Sequence, residues 1–258
     1  MDLGITGRTA IVCASSRGLG FACAAALARE GCGVVVNGRD AAALDAAGEK
    51  IAQIGVAVTA VRADVSTAEG RAALIAAAPD ADILVTNNGG PSPGRLADWD
   101  EAAWEAALHA NMISAIMLIR ALVPGMRARR FGRIVNITSA MVKSPQLPMG
   151  LSTASRAGLT AFAKALSREV ARDNVTINNL LPERIETDRL RGMIDRVAAH
   201  RKIPEAEARA EMLKPVPAGR FGMPGELGDA CAFLCSAQAG YITGQNLQLD
   251  GGGYEGLI

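Results

Sequence analysis

The side chains best suited to act on an oxygen atom lie between residues 132 and 158. Ser139 closes the strand-like run GRIVNITS, and Ser152 and Arg156 follow in GLSTASRAG at 150–158, four residues apart. On a helix that spacing puts both on one face. Two hydroxyls and a guanidinium can hold and polarise an oxygen. They cannot relay a proton as a phenol does, because an aliphatic hydroxyl ionises far above pH 10 and arginine keeps its charge. GLSTASRAG itself contains neither tyrosine nor lysine.

A second group of residues suits phosphate. After the run TAIVCAS comes CASSRGLG at 13–20 and then the helical FACAAALAREG. Ser15, Ser16, Arg17, Gly18, Leu19 and Gly20 form the link. Its glycines allow a tight turn and close backbone approach, and the helix N-terminus offers free N–H groups to a pyrophosphate. At the end of the next strand, GVVVNG, stands Gly38 with no carboxylate, and Arg39 follows at once. A carboxylate there would select NAD through the ribose 2′-hydroxyl. Arg17 and Arg39 favour a 2′-phosphate, hence NADP(H), with NAD(H) as the lesser alternative. Asp40 is expected to cap the following helix.

These residues need a scaffold, and the chain spells one out. Short β-branched runs alternate with alanine-rich helical stretches: TAIVCAS then 18–31, GVVVNG then 40–54, AVTAVRAD then 66–78, ADILVTN then 99–128, GRIVNITS then 150–173, VTINNLLP, and LGDACAFLCS before NLQLDGG. The strands are continuous apolar runs, as strands covered by helices on both faces are. The expected fold class is α/β, a doubly wound seven-stranded parallel sheet of Rossmann type, in one domain spanning 1–258. The charged excursion 183–220, ending in a Pro-rich segment, is expected to lie over the carboxyl edge of the sheet as a substrate lid.

Composition sets the outer limits. The chain has 258 residues, 50% of them hydrophobic and 21% charged, with net charge +1. That supports a full core and excludes a disordered or fibrous chain. The basic residues are scattered apart from RARR at 127–130, which is expected to close a helix C-terminus, so neither nucleic acid nor a membrane surface is an expected partner. No apolar run approaches 18 residues without a charge or breaker, and the opening MDLGITGRTAIVCASS lacks the pattern of a leader, so a cytoplasmic location is expected. Five cysteines (Cys13, Cys23, Cys32, Cys231, Cys235) without C-x-x-C spacing are read as buried reduced thiols, and no metal site is expected. His109 and His200 are given no catalytic role.

Throughout its length the chain resembles the short-chain dehydrogenase/reductase superfamily, most of all its β-ketoacyl-acyl-carrier-protein reductase-like branch. The T-G-x-x-x-G-x-G motif is matched from Cys13 to Gly20, with Cys13 and Ala14 departing from the first two positions. ADV at 63–65 resembles the adenine-contacting segment with Asp64 and Val65, and NNGG at 87–90, with Asn88 and Gly89, stands for N-N-A-G. Asn111 in HANMISA matches the asparagine of the catalytic-site helix. LLPERIET supplies Pro182, Ile185 and Thr187 as cofactor contacts, with Glu183 replacing the glycine of the family's P-G motif. Residues 219–252 resemble the C-terminal signature.

In that family a serine polarises the carbonyl, a tyrosine thirteen residues later donates the proton, and a lysine four further on lowers the tyrosine pKa. Ser139, Ser152 and Arg156 occupy these positions, so Tyr-x-x-x-Lys is present in register as Ser-x-x-x-Arg. The enoyl reductases' tyrosine position is Met149, and Tyr241 and Tyr254 belong to the C-terminal signature and tail. Lys143 and Glu183 are candidate replacement acids or bases. The resemblance implies a small-molecule or acyl-carrier substrate and a homodimer or homotetramer. Three functions stay open: an NADP(H)-linked oxidoreductase acting through Ser139, Ser152, Arg156 and Asn111, a nucleotide-binding homologue without turnover, and elimination or dehalogenation in the same pocket.

Overall fold

The computed structural model describes residues 1–257. Seven parallel strands form its sheet: β1 (Thr9–Val12), β2 (Gly33–Gly38), β3 (Val58–Arg62), β4 (Ile83–Thr86), β5 (Gly132–Ile137), β6 (Val175–Pro182) and β7 (Asn246–Leu249). Their order is β3-β2-β1-β4-β5-β6-β7, the doubly wound arrangement expected, with its switch point between β1 and β4. The carboxyl ends of the strands therefore open a crevice beside β1.

Helices cover both faces: α1 (Gly18–Arg29), α2 (Ala41–Ala52), α3 (Ala68–Ala77), α4 (Glu101–Leu108), α5 (Ser114–Ala128), α6 (Gly150–Val170), α7 (Asp188–Arg201), α8 (Glu205–Leu213) and α9 (Pro224–Cys235). Side-chain caps set several of their starts. Asp40 accepts from the Ala43 N–H at 3.1 Å, Thr67 from Gly70 at 3.0 Å and Asp100 from Ala103 at 2.9 Å. Arg127 and Arg129 close α5 and pair with Asp173 at 2.7 Å and Asp80 at 3.3 Å, the helix-end role expected of RARR. All five cysteines are buried and free.

The structure corrects two expectations. Strands β3 and β7 lie at the sheet edges and are partly exposed, so only the inner strands are covered on both faces. The helix expected over 99–128 is interrupted by a π turn at His109–Ile113. Taken together, Glu101–Ala128 is also long and apolar enough to cross a membrane by length and composition, an 18-residue window of it having mean hydropathy 1.7, and the charges of Glu105 and Arg120 interrupt it as expected. One side of it is core nonetheless, with Leu118, Ile119, Leu122 and Met126 buried against the sheet.

A row of polar side chains crosses the sheet interior in register. The Thr86 hydroxyl donates to Asn136 Oδ1 at 2.7 Å, Asn136 Nδ2 donates to Asn179 Oδ1 at 2.9 Å, and Asn179 Nδ2 donates to Asn246 Oδ1 at 2.8 Å. These four residues are the paired positions of β4, β5, β6 and β7. A one-residue slip of any of these strands would leave buried amides unpaired, so the row fixes the register of the half-sheet that carries Ser139.

Candidate active site

At the carboxyl ends of β1, β2 and β3 the backbone is tied down by Asn37. Its Oδ1 accepts from the Ala14 N–H at 3.1 Å, and its Nδ2 donates to the carbonyls of Val61 and Ala63, each at 3.0 Å. Ser15 turns inward, donating to the Val12 carbonyl at 2.7 Å and accepting from the Asn37 N–H at 2.9 Å. Gly20 faces the loop itself, where an added Cβ would lie 2.3 Å from the Ala14 carbonyl oxygen. Ser15 and Gly20 thus shape the loop from behind. Ser16, Arg17, Gly18 and Leu19 face the crevice. No side chain caps the start of α1, so its first N–H groups remain available to an anion.

The crevice is a cavity of about 650 Å³. It runs from this loop past Gly38, Arg39, Asp64 and Val65, along Asn88 and Gly89, to Ser139, Met149 and Arg156, with Pro182, Ile185 and Thr187 opposite. A Cβ added at Gly89 would meet nothing within 4 Å, so the wall there is open to a bulky ligand. Arg17 pairs with Asp40 at 3.2 Å and Arg39 with Asp64 at 3.5 Å, both at the mouth. The Asp64 carboxyl is held below its ordinary pKa, first by the Ser66 hydroxyl and also by Arg39.

At the inner end, Ser139 follows β5 and accepts from the Met141 N–H at 3.2 Å, leaving its own proton to donate into the cavity. On the first turns of α6, Arg156 Nη1 donates to the Ser152 hydroxyl, and Nη2 reaches the Asn88 carbonyl at 3.5 Å. Ser152 is buried beneath the guanidinium and does not line the cavity. Removal from water pushes the Arg156 pKa down to about 10, and the neighbouring Arg189 charge adds to the effect.

The π turn supports Arg156 from below. It leaves the Ala110 carbonyl to accept from Asn88 Nδ2 at 3.0 Å and from the Ser114 hydroxyl at 2.8 Å. Asn111 is buried beside a separate pocket of about 20 Å³ that Arg156, Asn88 and Thr86 also line, room for a single water. Asn111 meets the site only through this pocket.

Of the two candidate replacement groups, Glu183 lines the cavity but is engaged by Arg184. The Lys143 ammonium lies 5.1 Å from the Tyr254 ring centre, away from the lining. The segment 183–220 contributes α7 and α8, packed on each other through Leu190, Ile194 and Ala208 and against Phe221 just beyond it. Arg209 holds Glu186 through two bonds, at 3.0 and 2.7 Å, and Thr187, Leu190, Met193 and Met212 roof the cavity. Asn37 and Arg189 were not singled out from sequence. An asparagine inside the apolar run VVVNG was the available signal for the first; the second had none.

Fold and site together define a dinucleotide-binding α/β protein with a hydroxyl and a guanidinium at the end of its groove. Residues 13–254 match the family model described as enoyl-(acyl carrier protein) reductase. The chain is 33% identical to the 3-oxoacyl-[acyl-carrier-protein] reductase FabG of Vibrio cholerae over 98% of this chain and 99% of that one. It is 34% identical to an acetoacetyl-CoA reductase of Shinella zoogloeoides over 95% and 98%. The crystal structure of L-sorbose reductase from Gluconobacter frateurii, complexed with NADPH and L-sorbose, superposes with a TM-score of 0.94 at 32% identity, covering both chains fully. An NADP-bound 3-oxoacyl (acyl-carrier-protein) reductase from Agrobacterium tumefaciens C58 superposes at 0.88 and 30%, over 97% and 96%. The chain belongs to the short-chain dehydrogenase/reductase family.

Proposed function

We propose that the chain is an NADP(H)-linked oxidoreductase acting on a carbonyl or hydroxy compound, 3-oxoacyl reductase-like, with an altered proton-transfer site. The observation that carries this reading is the single cavity joining the phosphate loop and the Arg17/Arg39 corner to Ser139 and Arg156. The open N-terminus of α1 suits a pyrophosphate, and Arg17 of the phosphate loop with Arg39 after β2 suits a 2′-phosphate. When bound, the nicotinamide supplies or accepts the hydride.

The protein's own groups handle the oxygen. Ser139 donates a hydrogen bond to it, and Arg156 places a fixed positive charge beside it, stabilising a developing alkoxide. Neither delivers a proton easily, since Arg156 stays protonated at neutral pH even with its pKa near 10. The proton comes from water held between Ser139 and Arg156. Replacing a positioned general acid in this way lowers the rate by about 10² to 10⁴. The segment 183–220 serves as the lid, and Asn111 backs Arg156 through the small pocket they share.

One observation favours the alternative of nucleotide binding without turnover. Arg156 spends a donor on Ser152, filling the place a proton donor would need. NADPH oxidation followed across a carbonyl panel separates the two. The proposed function expects slow oxidation that falls at least about tenfold in Ser139→Ala. Nucleotide binding with no oxidation, or a rate indifferent to Ser139, contradicts it.

A further inference from the structure

The charges lining the cavity do not balance. Each lining carboxylate already has a guanidinium partner. Asp40 holds Arg17 at 3.2 Å, Asp64 holds Arg39 at 3.5 Å, Asp188 holds Arg191 at 2.6 Å, and Glu183 holds Arg184. Among the described residues Arg156 and Arg189 have no carboxylate partner. Their N–H groups reach only neutral acceptors: the Ser152 hydroxyl and the Asn88 carbonyl for Arg156, and the carbonyls of Gly90 at 2.9 Å and Pro91 at 3.1 Å for Arg189.

These two guanidiniums converge on one spot. A Cβ placed on Gly90 would lie 3.0 and 3.2 Å from Nη1 and Nη2 of Arg156 and 3.3 Å from Nη2 of Arg189. That spot has no room for a side chain, so it is the glycine that lets both guanidiniums come this close, and all three residues face the cavity. Like charges brought together this closely repel, and the repulsion contributes to the lowered Arg156 pKa. An anion between them would reverse the cost, and the planar guanidinium fork matches a carboxylate.

We propose that Arg156 and Arg189 form a paired receptor for a carboxylate on the substrate, which is therefore a small oxo or hydroxy acid rather than a neutral ketone or a carrier-bound acyl thioester. The inference rests on the oxidoreductase reading and narrows its substrate. Cofactor phosphates are the other source of anionic charge in this cavity. They have their own partners in the α1 N-terminus, Arg17 and Arg39, at the far end of the groove.

The test is calorimetric titration of the full-length protein, saturated with NADP⁺, with acetoacetate and with its uncharged methyl ester. The receptor predicts that acetoacetate binds at least about tenfold more tightly than the ester, and that exposed Arg189→Gln removes most of that preference. Equal binding of acid and ester, no binding of either, or a preference unchanged in Arg189→Gln overturns it. Acetoacetate that binds only without NADP⁺ also overturns it, since the arginines would then serve the cofactor. NADP⁺ affinity is measured in the same samples. Nucleotide bound without a preference for the acid removes only this inference, whereas a protein that binds no nucleotide removes the oxidoreductase reading.

Discussion

Arg156 donates a hydrogen bond to the hydroxyl of Ser152, one helical turn earlier on α6. The pair is locked to itself, with Ser152 buried at 2% exposure under the guanidinium. A tyrosine introduced at 152 alone therefore meets Arg156 and has no path to the cavity. Ser152→Tyr by itself is expected to leave turnover flat or lower. Ser152→Tyr with Arg156→Lys shortens the cation, frees that space and supplies a general acid, raising the rate by about 10² to 10⁴. Rates of NADPH oxidation for the two single variants and the double variant decide this. Equal gains from Ser152→Tyr with and without Arg156→Lys would contradict the interlock.

Two positions in the phosphate loop respond in opposite directions. Ala14 sits at φ +45°, in the left-handed region that disfavours a Cβ, so Ala14→Gly is expected to stabilise the fold by about 1 kcal/mol. Gly20 has the Ala14 carbonyl 2.3 Å from where a Cβ would go. Gly20→Ala must displace the loop and is expected to cost about 1 to 3 kcal/mol, together with nucleotide affinity. Urea denaturation midpoints of both variants check the signs.

The asparagine row across β4 to β7 holds register at the expense of tolerance. Asn136 is fully buried, accepting from Thr86 and donating to Asn179. Asn136→Ala leaves both partners unsatisfied and is expected to destabilise by about 2 to 4 kcal/mol, read from the same denaturation curves. A loss below about 0.5 kcal/mol would show that the row contributes nothing.

Much of this was legible in sequence because the signals were local. The β-branched runs gave the strands and their parallel order, and β2 and β6 begin and end where GVVVNG and VTINNLLP do. The Asp40 cap needs only its own helix. What sequence concealed depends on contacts across the fold. The π turn at His109–Ile113 lies inside an unbroken apolar period, so nothing in the spacing marks it. Ser15 and Gly20 belong to the phosphate-loop pattern, yet which of its residues turn outward is decided by Asn37 on the next strand. The Arg189 side chain meets Arg156 only because α7 folds back over Gly90.

Burial sets the alkaline limit of the thiols. Desolvation raises Cys13 and Cys32 from an ordinary 9.0 to about 12. The folded chain thus keeps protons that the unfolded chain gives up from pH 9 upward, so stability is full below pH 9 and falls as pH rises toward 12. Unfolding midpoints measured from pH 8 to 11 are expected to decline, less steeply in Cys13→Ala. A midpoint that rises over this range would contradict the assignment.

The most direct test of the account is a fluorescence titration of the protein with NADPH and with NADH, repeated in Arg39→Ala. Arg17 and Arg39 beside Gly38 predict that NADPH binds more tightly by at least about tenfold, with the preference reduced in the variant. Equal affinity, tighter NADH, or no binding of either nucleotide would contradict the NADP(H)-linked reading.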